Sequence, residues 1–470
     1  MMPILLLAVV EVAAAHHHDG NLKVPEGHTV STDPVDAILW IHIFLQMFTY
    51  GVLFPLGMVL GLVKSHFHVP CQITAAFLAL LGTVLGHAHK GRQFIGGNVH
   101  ERFGTPLQLL LLVQVVFGLY LKMHLEQGIN RRIRPVICTL HSFVGKIFPI
   151  LSWTQMLFGG ITALGFCHDD HLGQCFAHFI MGSAFIGYGI LLLILLIAGQ
   201  KWLACTGRSQ EFFDSATIAI WGCVNTFTEH RWGQEWTGND WQHTTMGIIW
   251  WCAGLAGIWL SRDIQGRPQR NLVPGFVLVI TGWAFGGHPQ RLAISEKVHQ
   301  MFGHVLMAAG ITRIIEVAFL LKDQPVQKGR IWSWQYIPIY LLFAGGFTFM
   351  GATEEQLKLV ALAEMDHVSY ILIMFSMAFL AFLFINILVS IYEKAKNTTN
   401  VTNNLAYSDV PGGAIGESRD NESPRDVEQF ELEGLTSDEE DRGFIQKQQN
   451  ETRMNNYEGM ASHGTLGKMK

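Results

Sequence analysis

Charge is scarce in this 470-residue chain: Asp, Glu, Lys and Arg make up 15% of it, and half of the residues are hydrophobic. An ordinary soluble domain carries roughly a quarter of its residues charged, so that class is excluded and the chain reads as an all-α polytopic membrane protein. Cysteine is sparse too, seven residues with no CxxC, which removes the metal and redox motifs built on that spacing. A basic excess is also missing. The net charge is −5, so nucleic acid is not an expected partner. The N-terminus, "MMPILLLAVVEVAAAHHH", lacks a positively charged start, yet its apolar run followed by small residues suits a signal peptide over 1–15.

What is present is a series of apolar segments long enough to cross a bilayer, which takes about 20 residues. They lie near 38–63, 69–88, 101–122, 136–165, 177–199, 213–228, 243–260, 272–287, 296–321, 335–350 and 367–391. About eleven transmembrane helices are therefore expected. Every second loop is basic, for example "QGINRRIRP", "SRDIQGRPQR" and "KDQPVQKGR", whereas the alternate loops are acidic or polar. Positive loops stay cytoplasmic. This puts the N-terminus in a lumen or outside the cell and the C-terminal tail in the cytoplasm. Four N-x-S/T sequons in the tail, at Asn397, Asn400, Asn421 and Asn450, argue the other way, and the charge pattern is the stronger signal. The expected organisation is a signal peptide over 1–15, a lumenal segment over 16–37, a four-helix domain over 38–165, a C-terminal membrane domain over 166–392 and a disordered acidic tail over 393–470. Cys167 and Cys175 bracket the loop "CHDDHLGQC" and can form a disulfide if it faces an oxidising lumen.

The histidines are placed as well as numerous. In each of the first four segments one stands near the start: His42, His68, His100 and His141. Consecutive helices run antiparallel, so starts one and three share one level and starts two and four the other. Across a four-helix bundle, His42 can then face His100, and His68 can face His141. Two histidines facing each other across an apolar bundle, at two depths, is what bis-histidine ligation of two b-type hemes requires. Gly104 and Gly145 stand four residues after His100 and His141, one turn along the same helix face, and are expected to leave room beside each ligand.

"HIFLQMFTYGVLFPLGMVLG", "HVPCQITAAFLALLGTVLG", "NVHERFGTPLQLLLLVQVVFG" and "RRIRPVICTLHSFVGKIFPILSWTQMLFGGITAL" resemble the core helices of cytochrome b561-type domains. Over nearly all of 30–395 the chain resembles the fungal "yeast putative transmembrane protein" (Ytp) family, with matching blocks "WGCVNTFTEHRWG", "DWQHTTMGIIWW" and "RIIEVAF". The first resemblance implies His42 and His100 as ligands of a lumenal heme, and His68 and His141 as ligands of a cytoplasmic one. It implies electron transfer across the membrane from a cytosolic reductant such as ascorbate to a lumenal acceptor, ferric or cupric ion among them. His66, two residues before His68, is an alternative ligand. The cationic cluster Arg131, Arg132 and Arg134 is the candidate donor site.

In the second half His178, His230, His243, His288, His299 and His367 fall on the lumenal face, together with Glu229, Asp240, Glu354 and Asp366. Such a rim can bind a transition metal, or His243 and His299 can hold a third heme. Arg313 and Glu316, at i and i+3, are expected to pair. The leading reading is a transmembrane heme electron conduit, compatible with a metalloreductase and with a homodimer. The alternatives are a transporter or metal sensor using the lumenal rim without heme, and a membrane scaffold using its acidic tail.

Overall fold

The computed structural model describes residues 24–25, 28–125, 127–168, 171–230, 233–287, 290–322 and 331–408. The expected signal peptide, His288 and the sequons at Asn421 and Asn450 lie outside them. Among the described residues the chain is helical without strands, apart from two isolated bridges, Val30 with Phe94 and Arg262 with Pro268.

The helices are α1 (Ala37–Leu62), α2 (His68–Ala88), α3 (Val99–Lys122), α4 (Asn130–Leu164) and α5 (Leu172–Ile197), then the short α6 (Gln200–Thr206). They continue with α7 (Gln210–Thr228), α8 (Gly238–Leu260), α9 (Val273–Gly286), α10 (Ala293–Leu321), α11 (Tyr336–Met350), α12 (Glu354–Leu362) and α13 (His367–Ser408). A helix stands at each of the eleven apolar segments. Seven of them are long and apolar enough to cross a membrane, and an eighth span arises if the pair Ser333–Met350 and Glu354–Leu362, bent by 77°, counts as one. The count of eleven spans is therefore not reached on length and composition. α9 has only 14 residues. The last helix runs to Ser408, well into the segment from 393 expected to be disordered.

Local chemistry sets the helix ends. The Asp36 carboxylate accepts the Leu39 N–H at 2.9 Å and caps α1, and Asn98 caps α3 through the Glu101 N–H at 3.0 Å, each satisfying a donor that the first turn leaves free. Pro55 cannot donate to the carbonyl four residues back. The helix answers with a π-helical turn over Thr49–Leu53, which adds one residue to the turn. α4 ends at Gly165, in the left-handed region at φ 69°, where a side chain would also strike the Thr29 hydroxyl.

Glycine brings the helices together in antiparallel pairs. α7 meets α8 at Gly247 and Gly254, α9 meets α10 at Gly275, Gly282, Gly303 and Gly310, and α5 meets α11 at Gly182 and Gly346. A Cβ at any of these would run into the backbone opposite. In lipid, where apolar burial drives little association, such close backbone approach supplies the packing. Away from these seams the apolar surface faces outward: Ile73, Phe77, Leu80 and Val84 on α2, and Leu109, Leu112, Val116 and Leu119 on α3, are all exposed. An integral membrane protein presents such a belt to lipid.

α4 belongs to both halves. Phe148 packs with Tyr50 and Phe54 of α1, whereas Trp153 donates its indole N–H to Ser183 of α5 at 3.0 Å and meets Phe347 of α11. From its middle, at Phe148 and Trp153, α4 thus touches both the first helices and the C-terminal ones.

Candidate functional site

The first two pairs, α1 with α2 and α3 with α4, are each held close by a small code of glycine, glutamine and histidine. A Cβ at Gly86 would lie 2.6 Å from His42 Nδ1, and one at Gly82 would lie 2.6 Å from the Gln46 side chain. The reciprocal contacts set Gly61 against His68 and Gly57 against Gln72. In the other pair, Gly159 lies against His100, Gly104 against Gln155, Gly118 against His141 and Gly145 against Gln114. Gln155 Nε2 donates to the His100 carbonyl at 2.9 Å, and Gln114 Nε2 to the His141 carbonyl at 2.7 Å. A glutamine amide in lipid needs such partners.

The space left by Gly104 and Gly145 is therefore taken by a glutamine from the neighbouring helix. It was expected to lie beside the histidine of the same helix. The reason is directional: a helical side chain leans toward the N-terminus, so the ring at position i points away from residue i+4. The glycine that touches each imidazole sits on the adjacent helix.

Between the two pairs, the rings meet. His42 and His100 have centroids 6.3 Å apart at 88°, and His68 and His141 have theirs 6.4 Å apart at 87°. Along α2 the two levels are roughly 25 Å apart at about 1.5 Å per residue, close to the depth of the hydrocarbon core. His42 Nδ1 meets the Gly82 carbonyl at 2.6 Å, His68 Nδ1 the Gly57 carbonyl at 2.7 Å and His100 Nδ1 the Gln155 carbonyl at 3.3 Å. A carbonyl only accepts, so in these three Nδ1 carries the proton and Nε2 presents its lone pair. His141 Nδ1 is buried without a hydrogen bond. His66 is exposed in the α1–α2 turn against Phe67, and the ring that meets His141 is that of His68.

A cavity of about 2170 Å³ runs beside the first pair, its wall including His42, Gln46, Phe94, His100 and Gly159. Residues 29–36 and 89–98 fold over that end: the Arg92 side chain donates to the carbonyls of Asp33 and Ala163, each at 3.1 Å, and Ser31 N–H donates to Gln93 at 2.9 Å. Burial opposes ionisation of Asp36, but backbone N–H donors from Lys90, Leu39 and Gly91 outweigh it and hold the carboxyl below its usual range. Arg131, Arg132 and Arg134 stand within the first five residues of α4, at the His141 end, and Arg134 bonds His124 at 3.3 Å.

Among the described residues no group of three or more His, Cys, Asp or Glu side chains at metal-ligand distances includes a histidine of the second half. His230 faces Asp240 at 3.4 Å and stacks on Trp236, His243 faces Glu229 at 3.5 Å, and His367 is exposed at the start of α13. The His299 ring meets His178 of α5, centroid to centroid at 5.8 Å and 84°. The reason is topological: α5 lies beside both α11 and α10, a neighbourhood that loop lengths alone do not fix. Among the described residues the metal-ligand geometry of three or more groups occurs once, at Cys167, Cys175 and Glu355. There the two cysteines form a disulfide, and Glu355 accepts the Cys167 N–H at 3.0 Å.

A charge network lies at the opposite end of the C-terminal helices. Arg313 reaches Glu316 and Glu211, each at 2.8 Å, and Asp214 at 3.8 Å, while Arg270 reaches Glu211 at 3.1 Å. The expected Arg313–Glu316 pair is present as part of it. Tyr188 donates to Asp214, and a cavity of about 200 Å³ is lined by Tyr188, Asp214, Arg313 and Glu316 under Trp250 and Phe185.

The spacing that marks the glycine seats is legible once the contacts are known: His-x3-Gln followed by Gly-x3-Gly in α1 and α2, and His-x3-Gly followed by Gln-x3-Gly in α3 and α4. The first two copies differ in length by one residue, and the π-helical turn of α1 absorbs it.

Two families match the chain: "Protein YTP1-like, C-terminal" over residues 151–393 and "Domain of unknown function (DUF2427)" over residues 23–124. Protein YTP1 of Saccharomyces cerevisiae is 41% identical over 307 residues, covering 64% of this chain. The match spans 62% of that relative's own length, less than two thirds. An uncharacterized membrane protein of Schizosaccharomyces pombe is 21% identical, with 71% of this chain and 89% of the relative covered. No solved structure matches.

Proposed function

The chain belongs to the YTP1-like family, and within that frame we propose that its first four helices form a b561-like conduit holding two b-type hemes and carrying electrons across the membrane. The observation that carries this reading is the pair of histidine pairs at two depths. Two imidazoles whose nitrogens bind one metal atom at about 2 Å each put their ring centres about 6 Å apart once the ring radii are added. Both separations agree with that value. Three of the four rings have Nδ1 tied to a backbone carbonyl, which turns Nε2 toward the partner histidine and raises its basicity.

A b-type heme bound at each level supplies a one-electron carrier. The chain's own contribution is to hold the imidazoles in one tautomer, to exclude water with apolar walls, and to keep the two levels within one bundle. The Cys167–Cys175 disulfide lies at the His100 end of α4, and oxidising compartments favour disulfides, so the His42/His100 level is assigned to the lumenal or extracellular side. The opposite level, beside Arg131, Arg132 and Arg134, would receive electrons from a cytosolic anionic reductant such as ascorbate. Ferric or cupric ion is the proposed acceptor.

Purified full-length protein should show two b-type hemes per chain in a pyridine hemochrome assay and a reduced-minus-oxidised band. A preparation without any heme band removes the reading. A second, sharper expectation concerns the glycine seats. Gly86→Ala should improve helix propensity by about 1 kcal/mol, yet its Cβ would displace His42, so heme content should fall toward one per chain while the fold persists. Gly187→Ala, where nothing lies within 4 Å, should leave both hemes in place.

The charge network beside its own small cavity favours one other reading, a transporter with its site in the C-terminal helices. That reading requires no heme, so the same spectrum separates the two.

A further inference from the structure

We propose that the small cavity beside Arg313 binds a small organic ammonium ion carrying at least one N–H. The cavity measures about 200 Å³, room for about seven groups the size of a water molecule at about 30 Å³ each. The charge at its wall selects the sign of the ligand. Among the described residues Glu211, Asp214 and Glu316 face two guanidiniums, those of Arg270 and Arg313, which leaves one negative charge over. Glu211 is 1%, Glu316 3% and Asp214 6% exposed, and an uncompensated charge in an apolar interior is costly. One monovalent cation cancels it.

The open hydrogen-bonding capacity of these acids is for a donor. Glu211 Oε1 takes both guanidiniums, while Glu211 Oε2 is buried without a hydrogen bond. Asp214 Oδ1 accepts from Tyr188, and its Oδ2 has the longer approach of Arg313 at 3.8 Å. Asp214 lines the cavity, so an N–H inside it meets an acceptor. A metal ion suits the site less well. Among the described residues the three carboxylates do not converge at metal-ligand distances.

The rest of the wall selects an organic cation. Phe185, Tyr188, Trp221 and Trp250 supply aromatic surface, and Trp250 is held in place by its indole N–H on the Thr281 hydroxyl at 2.7 Å. Aromatic rings attract a cation and shelter its methylene groups, which suits an alkylammonium better than sodium or potassium. Tyr188, Asp214, Thr217 and Trp221 also line the cavity of about 2170 Å³, so the Tyr188–Asp214 hydrogen bond lies at the border of the two spaces. A ligand arriving from the larger one enters by exchanging the Tyr188 donor for its own N–H. The assignment stands on the C-terminal helices and holds with or without heme.

The test is isothermal titration calorimetry on full-length purified protein in lipid nanodiscs at neutral pH. n-Butylammonium chloride should occupy one site per chain. Sodium chloride and n-butanol should each bind at least tenfold more weakly, the first lacking the methylene groups and the second the charge, and tetramethylammonium, which has no N–H, at least threefold more weakly. Asp214→Asn keeps the shape and an acceptor for Tyr188 but removes the excess charge, so it should lower the butylammonium affinity at least tenfold. Asp263→Asn, an acid of the exposed α8–α9 loop, should leave it unchanged. No butylammonium binding, equal binding of sodium, butanol or tetramethylammonium, or full retention by Asp214→Asn would each overturn the proposal. The unsubstituted protein alone decides all but the last outcome, so those stand even if a variant fails to fold.

Discussion

If the first four helices hold two hemes as proposed, His100→Ala protein should purify with one heme per chain against two for the parent, and electron transfer from one face of a vesicle to the other should fall to background. His141→Ala should give the complementary loss, leaving the heme at the His42/His100 level. The independence follows from geometry. The two levels stand roughly 25 Å apart along α2 at about 1.5 Å per residue, and each has its own glycine seats: Gly86 and Gly159 at one, Gly61 and Gly118 at the other. Truncating one ring leaves the Gln155 bond to the His100 backbone carbonyl intact, so the helix pair should remain closed while the ligand is lost. Loss of both hemes in either single variant, or of neither, would overturn the assignment of ligands to levels.

The facing of His42 with His100, and of His68 with His141, was legible because short loops force antiparallel neighbours, and antiparallel neighbours fix which helix starts share a level. Their glycine and glutamine seats were not, although the letters repeat. Reading them required knowing that a ring leans back along its helix, so that its cushion comes from the next helix. In the second half the same inference ran out for a different reason. α5, α10 and α11 are far apart in the chain, and their neighbourhood is set by glycine faces such as Gly182 with Gly346, whose partners no spacing within one helix announces. The ring contact of His299 with His178 was therefore not anticipated. The double role of α4 was hidden as well: Phe148 and Trp153 stand five residues apart on one continuous helix, and no loop or change of composition marks that one meets α1 and the other α5.

The Arg313–Glu316 pair was visible as an i, i+3 step, but its weight was not, because Glu211 and Asp214 come from a distant helix. Arg313 is 9% exposed and Glu211 1% exposed, and together with Arg270 two guanidiniums face three carboxylates. Replacing Arg313 by Met keeps much of the volume and removes the cation, leaving acids in an apolar interior. Breaking a buried ion pair from one side typically costs about 3–5 kcal/mol, and that loss should appear as a lowered midpoint of thermal or denaturant unfolding followed by tryptophan fluorescence. The cost comes from the stranded anions rather than from lost attraction alone. Adding Glu316→Gln to Arg313→Met should therefore recover part of the stability, with a coupling of about 0.5–3 kcal/mol in the double-mutant cycle. If the two substitutions simply add, Glu316 holds no charge that Arg313 compensates, and the network is a packing contact between polar chains.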